Sequence, residues 1–259
     1  MPDDIITVLF LGDVVGKPGR QAAAAFLKEN RADFKVINGE NLAGGLGITP
    51  ALAMEMLEAG ADAITTGNHV WKKKEIIPYL MAEQRVVRPL NYPPGAPGFG
   101  STVVRKNGKS LCVANIEGRT FMQSLDCPFR SIQEFLATNG DQTPVVVDFH
   151  AEATSEKIAM GWFLDGKVAC LVGTHTHVQT ADDTILPQGT GYITDLGMTG
   201  PSNSVIGMDK SAVLERFVTQ LPQKYEVAKD DLQVQGVLIS VDVRTRRCLH
   251  IERIREKVA

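Results

Sequence analysis

Short apolar runs alternate with polar, glycine-containing loops over the first third of the chain. Three of these runs are rich in β-branched residues and stop at glycine or a polar residue, which is typical of buried strands. They cover residues 5–11, 34–37 and 63–66. Helices are predicted at 20–30, from Thr49-Pro50 to Gly60, and at 72–81. This order of strand, loop and helix, repeated three times, specifies parallel strands with right-handed crossovers and an α/β architecture.

The rest of the chain adds hairpins and further buried strands. Asn107-Gly108 is a strong hairpin signal, and alternating apolar residues on either side of 244–247 predict a second hairpin. Other predicted strands are 145–148, 168–172, 184–186 and 192–194, and other predicted helices are 154–162, capped by Thr154 or Ser155, and 210–220. No linker or composition shift divides the chain, so we expect a single domain over residues 1–259.

Composition limits the kinds of partner. The chain has 259 residues, 44% of them hydrophobic, with a formal net charge of −3 and no basic block longer than Lys72-Lys73-Lys74. Stable nucleic-acid binding is not expected, because it normally requires a basic face, whereas a nucleotide substrate needs only a local site. The acidic start at Met1 to Asp4 leads directly into the first strand, no run of eighteen apolar residues occurs, and no cysteines have C-x-x-C spacing. These features predict a reduced, cytoplasmic protein without a membrane segment.

The apolar run at 168–172 leads into the most informative polar residues. It stops at Gly173, and His175 and His177 follow. The carboxyl end of a strand is the usual position of a ligand site in an open α/β sheet, and imidazole is the commonest protein ligand for transition metals. In an extended loop, side chains two residues apart point the same way, so these histidines could bind one metal or two adjacent metals.

Potential metal ligands recur after five of the predicted strands. They are Asp13, then Glu40 and Asn41, then Asn68 and His69, then His150, then His175 and His177. Carboxylates, amides and imidazoles without thiolates suit iron, manganese or zinc. Six or seven such ligands are too many for one tetrahedral site and suit two sites of octahedral type that share a carboxylate. Two metals about 3.5–4 Å apart form the clamp used in phosphoester displacement.

In this order the motifs resemble those of a known family, the calcineurin-like metallophosphoesterases. The motifs that carry the resemblance are Gly12-Asp13, Asn38-Gly39-Glu40-Asn41, Gly67-Asn68-His69, His150 and Gly173-Thr174-His175-Thr176-His177. The chain is most similar to the bacterial YmdB-like branch, through Gly44-Gly45-Leu46-Gly47 and Thr194-Asp195-Leu196-Gly197-Met198. The resemblance implies a four-layer α-β-β-α sandwich of two mixed sheets. It also implies a homo-oligomeric phosphodiesterase that acts on cyclic nucleotides with two iron or manganese ions.

The resemblance also implies a role for each motif. Asp13 and His177 would bind one metal, Asn68, His150 and His175 would bind the other, and Glu40 would bridge them. His69 would face the leaving group as a proton donor. The chain departs from the wider family at Val14-Val15, where a histidine is usual, and at Glu40, where an aspartate is usual. Asn41 is the candidate for the ligand position left by the missing histidine.

Our leading hypothesis is therefore a dinuclear-metal phosphodiesterase acting on cyclic nucleotides of the 2′,3′-cyclic or 3′,5′-cyclic AMP type. In it, a hydroxide held between the metals attacks phosphorus and His69 protonates the departing oxygen. The alternatives are a phosphomonoesterase and a regulatory metal- or nucleotide-binding protein with little turnover, the latter suggested by the missing histidine. A nuclease is disfavoured by the acidic charge balance. Taken alone, Asp13 could cap the following helix, Asn68 could bond its own loop and His150 could be structural.

Overall fold

Within residues 4–138 and 143–258, which this computed structural model describes, fourteen strands form two sheets and six helices lie outside them. The strands are β1 (Ile5–Leu11), β2 (Asp13–Val14), β3 (Phe34–Asn38), β4 (Ala63–Thr65), β5 (Val86–Val87), β6 (Ser101–Lys106), β7 (Lys109–Glu117), β8 (Val145–His150), β9 (Cys170–Thr174), β10 (Thr184–Ile185), β11 (Gly191–Ile193), β12 (Met198–Pro201), β13 (Leu232–Asp242) and β14 (Arg247–Lys257). The helices are α1 (Gly16–Glu29), α2 (Pro50–Glu58), α3 (Ile76–Ala82), α4 (Pro128–Thr138), α5 (Thr154–Leu164) and α6 (Lys210–Thr219). Residues 1–3, at the acidic start, lie outside the described residues.

Both sheets are mixed. The first sheet has the order β2-β12-β13-β1-β3-β4-β5, with β14 pairing to β13. Its strands β1, β3, β4 and β5 are parallel, whereas β13 runs antiparallel to β1. The second sheet has the order β10-β11-β9-β8-β7-β6, with β7, β8, β9 and β11 parallel. The carboxyl ends of β1, β3, β4, β8 and β9 are therefore the places from which the predicted ligands emerge.

Three apolar clusters hold the layers together. The central one joins the inner faces of the two sheets, with Phe10 and Val36 from the first and Val113 and Val172 from the second. A second cluster packs α1, α2 and α3 on the outer face of the first sheet. A third packs α4 and α5 on the outer face of the second sheet. This arrangement confirms the predicted four-layer α-β-β-α sandwich.

The local signals predict most elements and misplace some ends. The strand at Ile5–Leu11 and both hairpins are confirmed, and the Thr49 side chain accepts a hydrogen bond from the Leu52 amide at the start of α2. The helix predicted from residue 72 begins at Ile76, because hydrogen-bonded turns occupy the preceding residues. The predicted cap of α5 is wrong, since the N-cap residue is Ala153 and no side chain caps the helix.

Among residues 4–138 and 143–258, no helix combines the length and the apolar character needed to cross a lipid bilayer.

Candidate metal centre

The fold brings all seven predicted ligands and His69 to one place. Asp13 begins β2, Glu40 and Asn41 follow β3, and Asn68 and His69 follow β4 in the first sheet, while His150 ends β8 and His175 and His177 follow β9 in the second. Residues far apart in sequence meet there, because parallel strands of each sheet end at this edge. The fifth histidine, His250, is exposed on β14 and lies outside this group.

One group of candidate ligands consists of Asp13, Asn41 and His177. The Asn41 Nδ2 atom is 3.4 Å from Asp13 Oδ1 and 3.2 Å from His177 Nε2, and His177 Nε2 is 3.5 Å from Asp13 Oδ1. A half-turn of the Asn41 amide exchanges its nitrogen and oxygen, so that either atom can face the other two side chains. Asn41 thus occupies the place expected for the ligand that the histidine-free segment after Asp13 does not supply.

A second group consists of Asn68, His150 and His175. The His150 Nε2 atom is 3.0 Å from Asn68 Oδ1 and 3.1 Å from His175 Nδ1. Glu40 joins the two groups, since its Oε1 atom is 3.3 Å from His150 Nε2 and 3.3 Å from Asn41 Nδ2. Glu40 is fully buried, so this shared carboxylate lies inside the cluster and not at its rim.

A glycine is required beside the second group. A Cβ atom on Gly67 would lie 2.2 Å from the His150 ring, so a side chain at this position would displace the imidazole. The predicted Gly67-Asn68-His69 motif therefore combines a ligand candidate with the space that a second ligand candidate needs.

The three histidines among the candidate ligands are His150, His175 and His177. Each has one ring nitrogen bonded to a protein group outside the cluster and the other directed into the cluster. The His175 Nε2 atom is 3.0 Å from Glu152 Oε2, and the His177 Nδ1 atom is 2.9 Å from the Ile206 carbonyl oxygen. The His150 Nδ1 atom bonds the Thr174 hydroxyl at 2.8 Å. Metal-binding histidines are usually fixed in this way, because the outer hydrogen bond sets the tautomer and the ring orientation.

The outer partner of His150 belongs to a buried network around Asp148. The Thr174 hydroxyl donates to Asp148 Oδ1 at 2.7 Å, the Asn38 amide donates to Asp148 Oδ2 at 3.0 Å, and the Thr65 hydroxyl also donates to Asp148 Oδ2. Burial raises the pKa of Asp148 to about 6, against the opposing effects of His150 and these donors. The sequence analysis missed Asp148, although its position two residues before His150 on a buried strand was an available signal.

The loop after β9 is not extended, so the expectation about its backbone is wrong. His175 and His177 both have left-handed backbone conformations, with φ of 99° and 65°, which are uncommon for residues other than glycine. Gly173 lies inside β9, where a Cβ atom would be 1.8 Å from the Thr194 carbonyl oxygen, so the close approach of these two segments requires glycine. The histidines converge because the backbone coils between them.

The charges of the cluster are balanced by its histidines. Burial opposes ionisation of Glu40 and Asp13, but His150 lowers the pKa of Glu40 well below its usual value and His177 lowers that of Asp13. Burial likewise disfavours the imidazolium ions, yet Glu40 raises the pKa of His150 to about 9 and Asp13 raises that of His177 to about 9. Burial, with His150 nearby, lowers the pKa of His175 to about 4. Two buried carboxylates thus require positive charge, which metal cations can supply in place of protons.

His69 differs from the other histidines in its surroundings. Its backbone amide donates to Glu40 Oε2 at 3.0 Å, and its Nδ1 atom is 2.8 Å from Asn41 Oδ1 and 3.1 Å from Glu40 Oε1. Within the described parts of the chain no hydrogen bond is made by its Nε2 atom. His69 is partly exposed and lines the cleft that leads to the cluster.

That cleft has a volume of about 890 Å³ and two chemically different parts. The polar part contains Glu40, His69 and the two histidines after β9, and the apolar part is formed by Leu46, Ile206, Met208, Phe217 and Tyr225. The hydrogen bond from the His177 ring to the Ile206 carbonyl oxygen connects the two parts. The cleft thus offers a charged centre beside a wall suited to a flat or apolar group.

Glu117 is a further buried carboxylate that the sequence analysis missed. It ends β7 and pairs in register with His150 on β8. Its Oε1 atom accepts a hydrogen bond from the Gln123 amide at 3.0 Å, whereas its Oε2 atom has no partner among the described residues. Burial raises the pKa of Glu117 from 4.5 to about 7.

Substituting Glu117 with glutamine should stabilise the metal-free protein more at pH 8 than at pH 5. The unfolded chain ionises Glu117 near pH 4.5, whereas the folded protein keeps it protonated to about pH 7. Folding therefore becomes less favourable as the pH rises through this window, by up to about 3 kcal/mol in total, and Glu117→Gln removes that loss. Thermal unfolding of both proteins at pH 5, 6, 7 and 8 measures the difference; a difference that is constant with pH would contradict the raised pKa.

Comparison with known proteins identifies the family. The family model described as YmdB-like protein matches residues 9–254. The chain belongs to the YmdB-like family. A Bacillus subtilis (strain 168) relative named 2′,3′-cyclic-nucleotide 2′-phosphodiesterase is 48% identical to it over 252 residues, which cover 95% of this chain and 96% of the relative.

Solved structures of relatives share the whole fold. A phosphatase from Mycoplasma pneumoniae has a TM-score of 0.90 and 36% identity, covering 98% of this chain and 94% of its own. A hypothetical protein from Thermus thermophilus has a TM-score of 0.91 and 40% identity, covering 98% of this chain and all of its own. The YmdB-like chain described here therefore has the metallophosphoesterase fold that its motifs predicted.

Proposed function

We propose that this YmdB-like protein is a dinuclear-metal phosphodiesterase that hydrolyses 2′,3′-cyclic nucleotides. The observation that carries the proposal is the position of Glu40, whose Oε1 atom is 3.3 Å from a side chain of each ligand group. A buried carboxylate shared in this way is the arrangement that two adjacent metals need. The activity named for the Bacillus subtilis relative supports the choice of substrate.

The donor set fits two metal ions. Asp13, Asn41 and His177 would hold one ion, Asn68, His150 and His175 would hold the other, and Glu40 would contact both. Glu40, His150 and His175 already place one ligand atom each within 4.8 Å of one another. Oxygen and imidazole donors without thiolates suit iron, manganese or zinc, and the family resemblance favours iron or manganese among them. When bound, the ions would lower the pKa of a water molecule and neutralise charge on the phosphoryl oxygens.

His69 is the proposed proton donor. Its Nδ1 atom is engaged by Asn41 and Glu40, which leaves Nε2 available to a substrate in the cleft. Hydrolysis adds water to phosphorus and breaks one ribose–phosphate bond, so the departing ribose oxygen needs a proton. Because the Nδ1 proton is directed at Asn41 and Glu40, Nε2 carries a proton only in the imidazolium form of the ring, and an imidazolium in this position can supply it.

Asn41 favours an enzyme over a regulatory metal-binding protein. The regulatory alternative rested on the missing histidine after Asp13. Asn41 lies between Asp13 and His177, so the first ligand group still has three side chains besides Glu40. The observation that suggested the regulatory alternative, an incomplete first ligand group, is thereby removed.

The apolar part of the cleft is the proposed binding surface for the nucleobase. Phe217 and Tyr225 offer aromatic rings, and Ile206 and Met208 complete the wall. Phe217 is 71% exposed, and an exposed large apolar side chain at the edge of a charged cleft is suited to a ligand with a flat apolar face. A base stacked on an aromatic side chain gains about 1–3 kcal/mol.

Phe217→Ala should raise the KM for 2′,3′-cyclic AMP by roughly 5- to 150-fold, the factor that corresponds to losing such stacking. The kcat should change little, because Phe217 does not touch the ligand cluster. Leu214→Ala is the matched control, since Leu214 is also exposed on α6 and does not line the cleft. Steady-state kinetics of both variants measures the effect, and equal KM values for the two would refute this placement of the base.

The substrate class is tested with a panel of phosphate esters. We expect the manganese-loaded protein to hydrolyse 2′,3′-cyclic AMP faster than 3′,5′-cyclic AMP and faster than 5′-AMP, a monoester. Product analysis should show a nucleoside monophosphate with no further loss of phosphate. A higher kcat/KM for 5′-AMP would identify a phosphomonoesterase and overturn the proposal.

A cytoplasmic location and a homo-oligomeric state are part of the same proposal. The family resemblance implies the homo-oligomer, and the cysteine spacing and the lack of a long apolar run predict the location. The burial of Cys170 and Cys248, which raises the pKa of both thiols, fits a reducing compartment. Light scattering coupled to size-exclusion chromatography tests the assembly, with a mass above the 28.1 kDa monomer expected.

A further inference from the structure

Lys157 is a buried lysine beside the candidate metal centre. It lies on α5 and is 1% exposed. Its Nζ atom donates to Asp195 Oδ2 at 2.7 Å and to the Thr174 carbonyl oxygen at 2.8 Å. A buried ion pair is a weak source of stability, because desolvation of the two charges offsets much of their attraction. The position of this ion pair beside the candidate metal centre therefore suggests a role other than stabilising the fold.

Asp195 connects that lysine to the loop that carries two histidines. Asp195 Oδ2 accepts hydrogen bonds from the Thr176 backbone amide at 3.1 Å and from the Thr176 hydroxyl at 2.7 Å. Asp195 Oδ1 accepts from the Gly197 amide at 2.8 Å. Thr176 is the residue between His175 and His177, so one carboxylate holds the middle of the ligand loop.

The loop needs such support because of its backbone conformation. A left-handed conformation costs roughly 1–2 kcal/mol for a residue other than glycine, and His175 and His177 both adopt it. Such conformations persist where surrounding contacts fix them. Lys157 and Asp195 contact the residues on both sides of His175, namely Thr174 and Thr176, and Asp13 Oδ2 accepts from the His175 amide at 3.1 Å.

We infer that the Lys157–Asp195 ion pair is a positioning device that holds the loop from Thr174 to His177 in the conformation required for metal binding. Neither residue belongs to the ligand cluster, so both act through the loop and not on the substrate. The inference rests on the proposed function in one respect, namely that His175 and His177 bind metal. The inference gives Asp195 a role within the Thr194-Asp195-Leu196-Gly197-Met198 motif, to which the sequence analysis assigned no role.

Asp195→Asn tests the inference with little change of shape. The amide has one oxygen and one NH₂ group, whereas the Asp195 carboxylate accepts from donors at both of its oxygens. One donor must therefore face another donor, and the attraction to Lys157 is lost. We expect the manganese dissociation constant to rise by about 10- to 100-fold, the range found when residues that orient metal ligands are changed.

Asp165→Asn is the matched control. Asp165 is also buried, follows α5 directly, and accepts hydrogen bonds from the backbone amides of Gln188 and Thr190. Asp165 lies at the carboxyl end of α5, whereas Lys157 lies near its start, and among the described residues Asp165 makes no hydrogen bond to the ligand cluster. If the loss of any buried carboxylate weakened manganese binding by destabilising the fold, both aspartate variants would bind manganese more weakly. A positioning role predicts weaker manganese binding for Asp195→Asn only.

The experiment is a titration of full-length metal-free protein with manganese, with free Mn²⁺ followed by its electron paramagnetic resonance signal, and thermal unfolding measured in parallel. Thr176→Val provides a milder variant that loses only the hydroxyl bond to Asp195, and it should weaken manganese binding by about 3- to 10-fold, the equivalent of about one hydrogen bond. The expected result is weaker binding by Asp195→Asn and Thr176→Val, with Asp165→Asn within about twofold of the parent.

Two results would overturn the inference, and they are distinguishable. Unchanged affinity in Asp195→Asn and Thr176→Val, with two manganese ions bound by the parent, would reject the positioning role and leave the proposed function intact. A parent that binds no manganese or iron would reject both, because the ion pair would then have no metal site to support.

Discussion

Glu40→Gln should abolish the paired metal site and reduce hydrolysis of 2′,3′-cyclic AMP by roughly 10³-fold. Glutamine has nearly the same size but only one oxygen and no charge, so it cannot replace a carboxylate that contacts both ligand groups. Loss of metal-ion stabilisation worth several kcal/mol corresponds to a rate loss of this order. Glu40 is also buried against His150, so water cannot replace the carboxylate oxygen that Glu40→Gln removes.

The measurement combines metal analysis with kinetics. We expect fewer than two metal ions per chain in Glu40→Gln and close to two in the parent. Glu55→Gln is the control, since Glu55 is an exposed carboxylate that pairs with Arg20 on the outer face of the first sheet. If Glu40→Gln keeps two ions and a kcat within tenfold of the parent, Glu40 does not bridge them.

His69→Gln should reduce kcat by roughly 10²- to 10⁴-fold while both metal ions stay bound. General acid catalysis contributes about this factor, and glutamine cannot protonate a leaving oxygen. Because its side chain can still bond Asn41, the neighbouring ligands should keep their positions. The variant therefore separates proton transfer from metal binding.

The leaving group provides the decisive comparison for His69. A diester that releases p-nitrophenolate needs little protonation, so His69→Gln should slow its hydrolysis far less than that of 2′,3′-cyclic AMP. An equal loss on both substrates, or a loss of metal in the variant, would show that His69 has a binding role and is not the proton donor.

The α/β class and the meeting of the candidate ligands could be predicted from the sequence pattern for a common physical reason, whereas the four-layer arrangement was implied by the family resemblance. Parallel strands bury both faces, so β1, β3 and β9 read as continuous apolar runs, and their carboxyl ends fall at one edge of the sheet. Polar residues directly after such runs, such as Asp13 and Glu40, therefore converge without any knowledge of side-chain contacts. The roles of these residues remain predictions that the experiments above test.

The supporting contacts could not be predicted in the same way. Asp148 bonds Asn38, which lies 110 residues away, and Lys157 bonds Asp195, which lies 38 residues away. No local periodicity links such partners. The left-handed conformations of His175 and His177 are also imposed by contacts from other elements, so an extended loop was the natural but wrong expectation.

Short elements were missed because their stability is tertiary. Strand β12 (Met198–Pro201) has only four residues, two of which are glycine and proline, and it is held by pairing to β2 and β13. Helix α4 is longer, and the sequence analysis did not predict it, although Pro128 at its first position is a helix-start signal. Only Pro128 and Ile132 of this helix are buried. Propensity is a weak guide where packing decides the structure.

The most direct test of the paired metal site is the rate of 2′,3′-cyclic AMP hydrolysis as manganese is titrated into metal-free protein. The account predicts little turnover up to one equivalent per chain, a steep rise towards two equivalents, and no rise in Glu40→Gln. Full turnover at one equivalent, or turnover that persists in the presence of a strong chelator, would contradict a mechanism that depends on two metals joined by Glu40.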